Sequence, residues 1–271
     1  MGKLAFILLD GMNFESAKRN LGYLEHLVEY KKCVKLNVKG ELPSLSRPMY
    51  ETIFTGLPVY KHQITNNQVN RMSKETSIFD LCQAAGLTSL AVAYHWISEL
   101  YIQTPFNPLE DIILNDKTKR IQHGFFYYED SFPDSHLYSI AYKMIKKYKS
   151  DFVFIHPMNI DLKGHLYGCE SKEYNIAAMN NDLYLSMIIP YLLDNQYSII
   201  VASDHGMNEF GIHGGNDELQ RNSYMYVIDE KINKEQVNTI NTLQYAPLMC
   251  KILGLNPTKQ MKELEVKFNE E

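Results

Sequence analysis

Three short, unbroken apolar runs, each meeting an aspartate, constrain this chain more than any other feature. Leu4–Leu9 ends at Asp10-Gly11, Phe152–Ile155 leads to Asn159-Ile160-Asp161, and Ser198–Ala202 ends at Ser203-Asp204-His205-Gly206. Runs of this length suit strands buried on both faces, the condition of a parallel sheet. Helix-like segments alternate with them. Asn13 is placed to cap a helix over Phe14–Tyr30, and Ser135–Tyr148 has helical periodicity. Lys172–Leu193 reads as a further helix, which Pro190 should end or kink. The pattern predicts an α/β fold, a mostly parallel central sheet with helices on both faces. Ligands of such sheets lie beyond the carboxyl ends of the strands, where Asp10, Asp161 and Asp204 fall.

A length of 271 residues suits one catalytic domain spanning 1–271, with room for a small cap. The stretch from about 96 to 134 stands out, with Pro105, Pro108, Pro133 and the run Phe125-Phe126-Tyr127-Tyr128. It reads either as a cap or long loop over the site, or as a surface excursion packed by its own aromatics. A formal charge of −5 argues against binding a nucleic-acid polymer, which wants a basic face. Lys143–Lys149 then reads as a solvated helix face. The four cysteines are scattered without a CxxC pair, which suggests free thiols in a reducing compartment. The apolar run at the N-terminus is too short for a signal peptide, and no run approaches 18 apolar residues. A cytoplasmic protein without membrane contact is the expectation.

An aspartate after a strand is often only a helix cap. The set is more informative than its members. Asp161-Leu-Lys-Gly-His165 brings a carboxylate and an imidazole together across one helical turn, and Asp204-His205 places both ligand types at a strand end. His213 sits in the Gly-rich loop Gly211-Ile-His-Gly-Gly215, which can fold back onto them. Mixed nitrogen and oxygen ligation suits zinc, manganese or iron. Six ligands exceed the need of one tetrahedral ion and fit two open sites of three. Pro48 suits the first turn of a helix, with Ser46 just before it or at its N-cap. Ser46 is then either a simple cap or a nucleophile helped by the helix N-terminus and a nearby ion. His95, His123 and His136 either line a pocket or pack structurally, and His156 reads as a support to the site.

The segments Leu9-Asp10-Gly11, Pro43-Ser-Leu-Ser46-Arg-Pro48, Thr55-Gly56, Asp161-Leu-Lys-Gly-His165, Ser203-Asp204-His205-Gly206-Met207 and His213-Gly-Gly215 follow one another in a telling order. They resemble the motifs of the nucleotide pyrophosphatase/phosphodiesterase branch of the alkaline phosphatase superfamily. The resemblance implies a phosphohydrolase that cleaves a phosphodiester or nucleotide pyrophosphate-type bond of a small phosphorylated substrate. It also implies two divalent ions, zinc first and manganese second. Carried over residue by residue, Asp161, His165 and His213 hold one ion. Asp10, Asp204 and His205 hold the other, completed by Ser46, the nucleophile that becomes phosphoserine. Asn67 matches the family asparagine that donates to a phosphate oxygen, with Asn66 in its place if the register slips. The segment Gln244–Gly254 resembles the family's closing helix.

The chain departs from the pattern at Ser46, where many relatives have Thr, and at Arg47, where many have an aromatic residue beside a nucleobase. Arg47 either meets an anionic group of the substrate or pairs with Glu51 one turn on. Phosphomonoesterase and phosphonate hydrolase activities use the same ligands and remain alternatives. A mutase is disfavoured by the short interval from Asn67 to Asp161, and a sulfatase by the Arg-Pro directly after Ser46. A metal-stabilised binding protein would have lost a ligand or the nucleophile, and neither is lost.

Overall fold

The computed structural model describes residues 1–234 and 239–269. Its strands are β1 (Lys3–Leu8), β2 (Val34–Lys39), β3 (Ser89–Tyr94), β4 (Ile113–Asn115), β5 (His123–Tyr127), β6 (Phe152–Ile155), β7 (Tyr197–Ala202), β8 (Asn222–Ile228) and β9 (Thr239–Asn241). They form a 9-stranded sheet in the order β4-β5-β3-β6-β1-β7-β8-β2-β9. The central strands β5, β3, β6, β1 and β7 are parallel, whereas β8 runs against both β7 and β2, and β4 against β5. The mostly parallel α/β sheet read from the sequence is present.

Alternation along β1 shows why the strand had to be apolar throughout. Leu4, Phe6 and Leu8 enter the core on one face, and Ala5 and Ile7 enter the core on the other. The first core is closed by the helices Ser46–Thr55, Ile78–Ala84 and Tyr245–Leu253, the second by Phe14–Asn20, Asp134–Tyr148 and Lys172–Asp194. Phe6 packs among Phe54, Phe154 and Tyr245 with ring centroids 5.5–6.0 Å apart. Burying a side chain of this size contributes roughly 1.5–3 kcal/mol, so both layers hold the ends of β1, β6 and β7 rigidly in place.

Three sequence expectations change here. The helix expected over Phe14–Tyr30 breaks at Leu21 (φ −92°, ψ 63°) into Phe14–Asn20 and Gly22–Glu29. Asp182 of the neighbouring long helix accepts from Tyr23 N–H at 2.7 Å and thereby starts the second helix at a new angle. Pro190 does not end the helix, which continues past it to Asp194. It lies on the exposed side, where a freed carbonyl can meet water, while Leu185, Ile188, Ile189 and Leu192 keep that helix on the sheet. The segment from 96 to 134 does not stand apart as a cap, because it supplies the helix Trp96–Tyr101 and the strands β4 and β5 of the sheet edge. Its aromatics Phe126 and Tyr127 are core residues.

Candidate metal centre and nucleophile

Asp10 leaves the end of β1 and Asp204 follows β7, its neighbour in the sheet. Gly11 between them takes φ +70°, and a Cβ on it would lie 2.5 Å from Asp161 Oδ1. Only glycine allows that approach. Its N–H donates to Asp204 Oδ1 at 3.3 Å, so the Asp-Gly pair draws three carboxylates into one buried space. Asp161 and His165 project from one side of the helix Asn159–Tyr167 with Nε2 and Oδ2 3.4 Å apart. That helix is set by Asn159, which exchanges hydrogen bonds with the buried Asp134 (3.2 and 3.4 Å).

The histidines are oriented by main-chain carbonyls. Nδ1 lies 2.9 Å from Gly211 O in His165, from Gly206 O in His205 and from Ser44 O in His213. A carbonyl only accepts, so each Nδ1 carries the hydrogen and each Nε2 keeps its lone pair. The rings of His205 and His213 stack with centroids 3.7 Å apart. His213 Nε2 faces His165 Nε2 at 3.2 Å. Two lone pairs so placed need a proton or a cation between them. A proton is disfavoured on His213, because burial and the neighbouring His205 lower its pKa to about 3.

The carboxylates make the same demand. Asp10 Oδ1, Asp161 Oδ1 and Asp204 Oδ2 are buried without a hydrogen-bond partner. Burial, followed by repulsion from Asp10, raises the pKa of Asp161 and of Asp204 well above the usual range. Burial also acts to raise Asp10, but hydrogen bonds from His156 and Tyr50 and the nearby imidazoles hold it at about 2. Ligand atoms of Asp10, Asp204 and His205 lie within 4.8 Å of one another, as do those of Asp161, His205 and His213. His205 joins the two groups, and His165 reaches the second through His213 and Asp161. The donor set fits divalent cations.

Ser46 is the first residue of the helix Ser46–Thr55, one place inside the expected cap position, which Leu45 occupies. Its hydroxyl does not cap the helix; it lies 3.0 Å from His205 Nε2 and donates to that lone pair. Asn67 accepts the Arg47 N–H on Oδ1 at 3.1 Å, beside Ser46, while Asn66 only turns its own loop by accepting from Gln68 N–H. Arg47 does not pair with Glu51. Its guanidinium is buried against Glu99 at 2.6 Å, not Glu51, and lies over the Trp96 ring. Glu51 is instead held by Ser73 and Tyr101. His123 stacks on Tyr148 at 3.8 Å, His136 is exposed, and His95 is half-buried against Phe106.

Two supports of Asp10 emerge from the structure. His156 Nε2 lies 2.9 Å from Asp10 Oδ2, and the Tyr50 hydroxyl donates to the same oxygen. His156 was marked by its place after a strand. Tyr50 was missed, although its spacing of four from Ser46 places it on the Ser46 side of the helix.

Sheet, strand-end carboxylates and inward-facing imidazoles define an alkaline phosphatase-like α/β protein. The chain belongs to the type I phosphodiesterase / nucleotide pyrophosphatase family, whose sequence model matches residues 4–270. Its fold is similar to that of murine ectonucleotide pyrophosphatase / phosphodiesterase 5, solved as an inactive variant with AMP: TM-score 0.74, 15% identity, covering 95% of this chain and 96% of that one. The human counterpart gives 0.70 at 14% identity, covering 94% and 96%. Among curated proteins, the chain is 30% identical over 126 residues to GPI ethanolamine phosphate transferase 2 of Schizosaccharomyces pombe, covering 39% of this chain and 17% of that protein. It is 26% identical over 110 residues to the catalytic subunit of mouse GPI ethanolamine phosphate transferase 3, covering 39% and 10%. These matches span less than a fifth of either relative's length. Among the described residues, no helix is long and apolar enough to cross a membrane.

Proposed function

We propose that this chain is a metal-dependent phosphohydrolase that cleaves a phosphodiester or nucleotide pyrophosphate-type bond through a covalent phosphoryl ester of Ser46. The observation that carries this reading is the convergence of a serine hydroxyl, 3.0 Å from His205 Nε2, on three buried carboxylate oxygens without partners. Asp10, Asp204 and His205 would hold one divalent ion beside Ser46, and Asp161, His165 and His213 a second. Zinc is the first choice and manganese the second, given nitrogen and oxygen donors without thiolate. Bound there, such ions supply Lewis acidity toward phosphoryl oxygens and favour the ionised serine.

The residues themselves do the rest. Ser46 Oγ gives its proton to water and bonds to phosphorus in line as the bond to the leaving oxygen breaks; the other substituent stays on phosphorus as a seryl phosphodiester, which water then cleaves to release the phosphomonoester and restore the serine. With Nδ1 locked by Gly206 O, His205 has one Nε2 lone pair; it accepts from the Ser46 hydroxyl here and would be given to the ion once one is bound. With Oδ1 held by Arg47 N–H, the Nδ2 hydrogens of Asn67 are what remains to meet a phosphoryl oxygen. The test is turnover of a nitrophenyl phosphodiester by metal-loaded protein beside Ser46→Ala, with acid trapping of the labelled phosphoryl ester on Ser46. Turnover that survives in Ser46→Ala, or no trapped label, overturns the reading.

The curated relatives, named as ethanolamine phosphate transferases, favour one second reading: an alcohol takes the place of water and receives the group from Ser46. Product analysis with and without an added primary alcohol separates the two. Four buried, unpaired cysteines support a compartment that keeps thiols reduced, as a cytoplasmic protein would have.

A further inference from the structure

Resting on that reading, we propose that Arg47 and Glu99 form a positioning clamp that sets the Asn67 carboxamide against the phosphoryl group held at Ser46. The loop that carries Asn67 has no regular secondary structure between Gln63 and Ser77, so its shape depends on what it is tied to. Arg47 ties it twice. The main-chain N–H donates to Asn67 Oδ1 at 3.1 Å, and guanidinium Nη1 donates to Val69 O at 3.3 Å. Glu99 ties it a third time, Oε1 accepting from Asn70 Nδ2 at 3.1 Å, while Oε2 takes Arg47 Nη2 at 2.6 Å.

The clamp is anchored at its far side as well. Glu99 Oε1 also accepts from Phe106 N–H at 3.3 Å, and the guanidinium lies 4.6 Å from the Trp96 ring centroid. Both charged residues are at most 5% exposed. A buried ion pair of this kind adds little net stability over well-packed apolar residues, but its fork geometry is directional. Here the direction matters, because one residue connects the nucleophile to the only side chain proposed to bind phosphate by a neutral amide. A misplacement of about 1 Å in such a group can cost on the order of a hundredfold. Lysine at position 47 would keep the charge but lacks the second donor arm.

The experiment measures binding of inorganic phosphate to the zinc-loaded full chain by calorimetry, for Arg47→Lys, Glu99→Gln, Asn67→Ala and the two double variants with Asn67→Ala. Arg47→Lys and Glu99→Gln should each weaken binding by about tenfold, and by less than about twofold once Asn67 is alanine, since coupled residues are not additive. The apolar replacement Arg47→Met with Glu99→Leu should fold, keep its zinc and still lose phosphate affinity. Wild-type affinity in these variants overturns the clamp. So do losses that multiply in the Asn67→Ala background, because Arg47 would then touch phosphate itself, and losses that track lost zinc. If phosphate binding follows the predicted pattern while the wild type hydrolyses no phosphodiester, the functional reading fails and the clamp stands.

Discussion

Two buried clusters of charge meet the first turn of the short helix Asn159–Tyr167, and they are built on opposite principles. At its start, Asp134 has a partner for each oxygen: Asn159 N–H on Oδ1 and Asn181 Nδ2 on Oδ2 at 2.8 Å. Burial raises its pKa to about 6, but no hydrogen-bonding capacity is wasted. Along the helix, Asp161 joins Asp10 and Asp204 in a cluster where one oxygen of each lacks a partner. A chain can afford the first arrangement as structure. The second is costly unless something positive occupies it, and that difference marks one cluster as scaffold and the other as binding site.

The comparison breaks most visibly in activity. Ser46→Ala should lower phosphodiester turnover by about a thousandfold or more with an unchanged melting temperature, since the serine touches only His205 in the scaffold. Measured kcat and thermal unfolding check this together. Asp204→Asn should reduce kcat/KM by about a hundredfold or more through lost metal, yet the metal-free protein should melt higher than wild type because a buried repulsive carboxylate is gone. A lower apo melting temperature would place Asp204 with the scaffold instead. Asp134→Ala should do the reverse, costing about 1–3 kcal/mol of stability in denaturant unfolding while zinc stoichiometry stays the same.

Glu51 gives the most specific effect. Buried, and raised from 4.5 to about 7, it favours the folded state when protonated. Its contribution is complete below the unfolded value and is lost as pH rises through about 7. The difference amounts to about 3 kcal/mol at most. Glu51→Gln should therefore flatten the fall in stability between pH 4.5 and 8. An unchanged pH profile would mean that Ser73 and Tyr101 keep the carboxylate ionised throughout.

The strand ends and the side chains gathered there were legible because apolar runs, Asp-Gly and Asp-His fall where the sheet stops, and local spacing carries that information. Arg47 was legible as special but its partner was not. Glu99 lies 52 positions away in sequence, and nothing in periodicity joins it to a helix start. The same applies to Asp182, whose carboxylate breaks the helix at Leu21, and to strands β4 and β5, whose short aromatic run read as a loop. Pro190 misled for a local reason. The rule against proline assumes a buried carbonyl left unsatisfied, and here the proline faces water.

The carbonyls of Ser44, Gly206 and Gly211 have one further consequence. An imidazole steered by a carboxylate depends on a second side chain that random drift can erase. These three are steered by the peptide chain itself, which every substitution leaves in place. The orientation of the three imidazoles therefore follows the path of the backbone, and side chains around the cluster can change without turning the three nitrogens away.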